Sequence, residues 1–136
     1  MTATVHACLG ACAARVTRDP ALAFALGLVS HCALDMVPHS DYQKPAWAVL
    51  DIVTAAVLIA GCWNSGFGSR AAVAGTIGAV LPDVEVVLSH LSGGNVTGVF
   101  PTHSGFLPHG KMRGPAAFLV QAAVGASALA MALGVV

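Results

Sequence analysis

From Pro115 to Val136 the chain runs without a single charged side chain. Crossing the hydrocarbon core of a bilayer takes about 20 apolar residues, and this stretch reaches that length. With no water to satisfy backbone N–H and C=O groups, such a run folds as a helix. Four other apolar stretches precede it. The first extends from about Thr4 to Val16 and stops at Arg18-Asp19-Pro20; the second starts at Pro20, a favourable first-turn residue, and continues to Val37 before Pro38. The third runs from Pro45 to Trp63 and is closed by Asn64-Ser65-Gly66; the fourth covers Arg70 to Leu91, with Pro82 inside it. The third and fourth also reach spanning length, the second nearly so, and the first is short.

Period-two alternation is absent, and the runs are rich in Ala, Leu, Val and Gly, so helices are expected throughout. The expected fold is all-α: an integral membrane bundle of about five hydrophobic helices, forming one transmembrane domain over residues 1–136. Met1 to Ala14 lacks the basic leader of a signal peptide and reads as a mature first helix. Composition agrees, with 57% hydrophobic and 9% charged residues, whereas soluble domains carry about 25% charged. Net charge is zero and no basic run exists to hold a phosphate backbone, which argues against nucleic acid. Membrane lipid is the expected partner, and a homo-oligomer is compatible with such a bundle. Trp47 and Trp63, near the two ends of the third helix, suit interfacial belts. Ala71, Gly75 and Ala79 recur at four-residue spacing, which allows close backbone packing in lipid. Cys8, Cys12, Cys32 and Cys62 lie in apolar surroundings without a CxxC pair and read as small hydrophobes.

Alternating passes make a test of the ionisable residues possible. One membrane face receives the N-terminus, the 2–3 loop and the long Gly- and Pro-rich 4–5 loop, Ser92 to Gly114. His6, His31, Asp35, His39, Asp41, Asp51, Asp83, Glu85, His90, His103 and His109 all fall toward it. The other face holds Arg15, Arg18, Asp19 and Arg70 and no histidine. Ionisable groups within membrane helices are costly and normally mark function. His31 and Asp35, four residues apart, project from one helix face and can chelate one ion. His39 can close over the same centre from beyond Pro38, and Asp83 and His90, seven apart, share a face. Pro82 removes a backbone hydrogen bond just before Asp83. Taken singly, His109 and Asp41 read as solvated loop residues. Histidines mixed with carboxylates and no thiolate cluster suit a divalent ion, zinc above all. The expected ligands are His6, His31, Asp35, His39, Asp83 and His103, with Asp51 or Glu85 as general base or as the group orienting a ligand. No GxSxG elbow and no Gly-rich Lys-Ser/Thr loop points to other chemistry.

Several of these segments resemble the YdjM-like bacterial family of membrane-bound metal-dependent hydrolases. Val5-His6-Ala7 is similar to its early His-bearing helix, Gly27 to Asp35 to its Ser-His-x-x-x-Asp helix, Leu81-Pro82-Asp83-Val84-Glu85 to its Leu-Pro-Asp-x-Asp segment, and Thr102-His103-Ser104 to its Thr-His-Ser segment. The motif order is permuted, Glu85 stands for an Asp, and an Arg of the last motif is missing. His31, Asp35 and His39 also resemble, distantly, the clustered zinc ligands of all-helical zinc-dependent phospholipase C enzymes. The resemblance covers about a third of the chain. It implies a bacterial inner (plasma) membrane location and hydrolysis of a phosphoester such as a phospholipid head group. The sequence leaves two rivals: a non-enzymatic protein that binds or transports metal ions or protons, and a structural module whose polar groups only join helices.

Overall fold

The computed structural model describes residues 1–42, 45–64 and 69–134, and for Pro45, Cys62, Trp63, Asn64 and His90 the backbone alone. The third helix's closing turn at Ser65-Gly66 and the side chains of Trp63, Cys62 and His90 therefore lie outside the described residues. The described chain is all-helical, with no strand among its elements. Seven helical segments appear: α1 (Ala3–Ala11), α2 (Ala13–Val16), α3 (Pro20–Met36), α4 (Pro45–Asn64), α5 (Arg70–Val80), α6 (Asp83–Leu91) and α7 (Pro115–Leu133). They make five rods, because α2 follows α1 after one residue and α6 follows α5 across Leu81-Pro82. The expected fourth helix is thus interrupted at its proline, which cannot donate to the ladder.

Local sequence sets the boundaries. The Thr2 side chain accepts from Val5 N to open α1, Asp19 accepts from Ala21 N to open α3 with Pro20 in its first turn, and Ser69 accepts from Ala72 N to open α5. Gly134, at φ 73°, ends α7 in the left-handed conformation. Two helices are long and apolar enough to cross a membrane, Arg70–Ser89 and Pro115–Leu133. The apolar helices Ala3–Val16, Pro20–Met36 and Ala46–Gly61 are shorter, so the third stretch does not reach spanning length over its described side chains.

Contacts between the ends fix an alternating arrangement. The Asp51 carboxylate, near the start of α4, accepts from Ala3 N and Thr4 N at the start of α1. Gln121, near the start of α7, donates to Ser40 O just beyond α3. At the other end Arg15 donates to Ala132 O at the close of α7, where a cation also suits the helix dipole. The N-terminus of α1, the C-terminus of α3 and the starts of α4 and α7 therefore share one end.

Helix α5 sits at the centre, with Ala71, Ala72, Val73, Gly75, Thr76, Gly78 and Ala79 all buried; a helix apolar on every side belongs inside. Its neighbours α1 and α3 approach at backbone distance. A Cβ added to Gly10 or to Gly27 would collide with Gly75 O, and one added to Gly78 would collide with Phe24 O. The small-residue spacing seen in the sequence thus serves helix packing. Buried Thr76 is satisfied by donating to Ala72 O at 2.8 Å.

Replacing Gly75 with Leu is expected to lower stability by about 1–3 kcal/mol or more through overpacking. Gly61→Ala, where a new Cβ meets nothing within 4 Å, is expected to leave stability unchanged or raise it by up to about 1 kcal/mol through helix propensity. Thermal unfolding of the two purified variants, followed by circular dichroism, checks the contrast.

Candidate metal centre

At the shared end of the bundle, α3 presents His31 and Asp35 one turn apart, both with essentially no exposure (0% and 1%). The loop after α6 folds back over them. Gly110 N donates to Asp35 O at 2.7 Å, His39 N donates to Gly110 O at 2.7 Å, and Met112 N donates to His39 O at 2.7 Å. These bonds clip the loop to the end of α3. Gly110 is required there, since a Cβ would stand 2.5 Å from Val37 O. The long loop is therefore a cover that carries Thr102, His103 and His109 onto the helix end, and not merely a connection.

The hydrogen bonds at each imidazole decide which nitrogen is available. His31 Nδ1 lies 2.7 Å from Ala79 O, a carbonyl in the last turn of α5 before the proline break. A carbonyl only accepts, so Nδ1 carries the proton and Nε2 a lone pair. His103 Nδ1 lies 2.6 Å from Glu85 Oε1, and its Nε2 is directed the same way. The two Nε2 atoms are 3.3 Å apart. Asp35 Oδ2 lies 3.1 Å from the first and 3.2 Å from the second.

These three atoms make a nearly equilateral triangle. Metal–nitrogen bonds of about 2.0–2.1 Å set neighbouring ligands of a tetrahedral centre about 3.3 Å apart. Three electron-rich atoms at that spacing repel unless a cation, either a proton or a metal ion, sits among them. Carboxylate or carbonyl partners on the far nitrogen are also what ligating histidines normally have. Buried His and Asp groups here can therefore hold a metal ion: His31, Asp35 and His103 form one such group, and His6, His31 and Asp83 another.

His6 extends the cluster. It is fully buried, stacks on His31 with ring centroids 3.9 Å apart, and places Nε2 3.2 Å from Asp35 Oδ1. His6 Nδ1 has no hydrogen-bond partner among the described residues, nor does Asp83 Oδ2. Orphaned buried groups of this kind cost about 1–3 kcal/mol each. Asp83 Oδ1 is 4.0 Å from His31 Nε2. Asp35 Oδ2 also accepts from the Thr102 hydroxyl at 2.8 Å, and Oδ1 from the Met1 amino group at 2.8 Å.

The expected ligands His6, His31, Asp35, His39, Asp83 and His103 are thus all brought to one end of the bundle. Glu85 meets His103 Nδ1 at 2.6 Å while accepting from Val99 N at 2.8 Å and Phe100 N at 3.1 Å. Asp51 does not join them: its carboxylate is occupied by the free N–H groups opening α1, a helix N-terminal anion. His109 departs from the solvated-loop expectation, being mostly buried, while Asp41 stays half exposed as expected yet reaches His39. His109 Nε2 stands 3.0 Å from His39 Nε2, and Asp41 Oδ1 3.3 Å from His39 Nε2. No local pattern marks these two; the signal was the recurrence of His and Asp on both segments that the loop clip later joins.

Among the loop groups, the His39 hydrogen bond holds the Asp41 carboxyl below the usual range despite partial burial. Burial pushes His109 down. Burial would also lower His103, but its hydrogen bonds to Asp35 and Glu85 outweigh that and raise it above the ordinary 6.5. A shallow cleft lined by Glu85, Val86, Ser89, Gly98 and His103 opens beside the cluster.

The chain matches no protein-family model, and no curated protein and no solved structure is significantly similar to it.

Because His103 is raised in the fold, its proton stabilises the metal-free protein below the unfolded value near 6.5. That contribution is lost as pH rises through the higher folded value. An NMR titration of the metal-free protein is expected to find His103 above 6.5 and to find it lowered in Glu85→Gln. The same variant is expected to bind a divalent ion about 10–100-fold more weakly, read by competition with a chromogenic chelator.

Proposed function

We propose that the protein is a membrane-embedded metal-dependent hydrolase acting on a phosphoester, such as a phospholipid head group, at one membrane face. The observation that carries this reading is the triangle of lone pairs formed by His31 Nε2, His103 Nε2 and Asp35 Oδ2 in a buried site. A donor set of imidazoles and carboxylates suits zinc better than calcium. When bound, such an ion acidifies its water toward neutrality and polarises a phosphoryl oxygen. The chain's own part is orientation. Glu85 fixes the His103 tautomer, Ala79 O fixes that of His31, and Thr102 holds the Asp35 carboxylate. Hydrolysis, as opposed to metal binding, rests on the YdjM-like motifs and is an argument by analogy.

The membrane assignment rests on the two spanning-length helices and on outward apolar faces. Val49, Leu50, Val53 and Val57 on α4, and Phe118 and Leu119 on α7, are all more than half exposed. An apolar surface of that extent needs a nonpolar neighbour. The cleft at Glu85 and His103 would then give a head group its approach. A transport reading is less well supported, because a path needs polar groups through the whole thickness. Toward the far end the bundle packs Ala13, Ala23 and Ala71 with Ala14 and Leu26.

Detergent-purified protein is expected to carry stoichiometric divalent metal, measured by mass spectrometry. Both His31→Ala and Asp83→Ala should lose it, and chelation of the wild type should abolish phosphoester hydrolysis. Metal that is substoichiometric and unchanged in both variants would overturn the assignment.

A further inference from the structure

A second set of donors stands beside the first, on residues the proposed reaction leaves unused. His39 Nδ1 lies 2.7 Å from Val37 O, which only accepts, so the lone pair of this buried histidine is on Nε2. That Nε2 is 3.0 Å from His109 Nε2. Asp41 Oδ1 completes a triangle at 3.3 Å from the one and 3.5 Å from the other. The edges again suit a tetrahedral centre, for which about 3.3 Å is expected. Asp35 adjoins this group as well, grouped with His39 and His109, its Oδ2 lying 3.8 Å from His109 Nδ1, the nitrogen on the other side of that ring. The Asp35 carboxylate thus faces two donor sets at once.

Two cations stand beside the second triangle, and a bound metal ion would displace one of them from His39 Nε2. Lys111 Nζ is 3.7 Å from Asp41 Oδ2, the oxygen turned away from the histidines. The Met1 amino group lies 2.7 Å from His39 Nε2 and 2.8 Å from Asp35 Oδ1. Asp41 is half exposed, so this set opens toward water while the first is closed over by Thr102 and Phe100.

We infer that the protein holds two divalent cations, the second ligated by His39, His109 and Asp41, with Asp35 shared between them. The inference deepens the hydrolase reading, since paired ions about 3.5–4 Å apart clamp both the attacking and the leaving oxygen of a phosphoester. The residues that assign the second ion are independent of that chemistry. The competing arrangement is metal-free: the Met1 amino group and His109 Nε2–H both donate to His39 Nε2.

Cobalt(II) titration of the full, chelator-stripped chain in detergent separates these outcomes. Metal content, absorption and electron paramagnetic resonance are read together. Two ions per chain with spin coupling between them are expected. In the double variant Asp41→Asn, His109→Gln, with both changes outside the helices, binding should fall to one uncoupled ion with the helical circular dichroism retained. One ion per chain in the wild type, or two ions whose affinities the double variant leaves unchanged, would overturn the second site. One ion together with phosphoester turnover removes the second site and leaves the hydrolase. Two coupled ions without turnover keep the second site and remove the hydrolase.

Discussion

A carboxylate buried to 1% exposure is the most demanding group in this molecule. Isolated in a low-dielectric interior, an ionised Asp35 would cost several kcal/mol or more. It persists because its surroundings are built from groups that answer a negative charge: imidazoles from α1, α3 and the covering loop, the Thr102 hydroxyl and the Met1 amino group. The rest of the site follows from that requirement. Each imidazole that faces Asp35 and has a partner on its far nitrogen is held in one tautomer, and a concentration of lone pairs results. A proton and a metal ion would compete for the same place, so a raised His103 and a geometry able to hold a metal occur in one structure.

Bringing three rods within reach of one carboxylate requires them to lie unusually close. Gly10, Gly27, Gly75 and Gly78 supply that closeness, since each meets a neighbouring backbone where a side chain would not fit. Parallel packing of α3 beside α5 aligns His31 with Ala79 O, and antiparallel packing of α1 on α5 brings His6 onto His31. The break at Leu81-Pro82 adds the last element, ending α5 where its carbonyl can serve His31 and restarting α6 with Asp83 beside His31 and Glu85 bonded to the loop. Packing and chemistry are therefore two consequences of the same small residues.

Much of this was legible in the chain itself. The apolar runs and their prolines locate every rod, and counting passes puts all six histidines toward one end, which the described contacts reproduce for five of them. His31 and Asp35 were recognisable because helical spacing is a fixed geometric relation. Asp51 is less legible: depth along a helix says nothing about which neighbouring terminus a carboxylate will meet, and it meets the start of α1. The burial of His109 depends on how a Gly- and Pro-rich loop folds back, which no periodicity encodes, whereas Asp41 stays half exposed as a loop residue should.

By itself, then, the sequence determined the helical rods, their apolar character and the end of the bundle that gathers the ionisable groups, since these depend on composition and on local periodicity. The tertiary structure alone decided which nitrogens face one another, that Glu85 orients His103 while Asp51 caps α1, and that the loop clipped at Gly110 brings His109 beside His39. Those outcomes depend on hydrogen bonds between residues far apart in the chain, and only the packed arrangement fixes such distances.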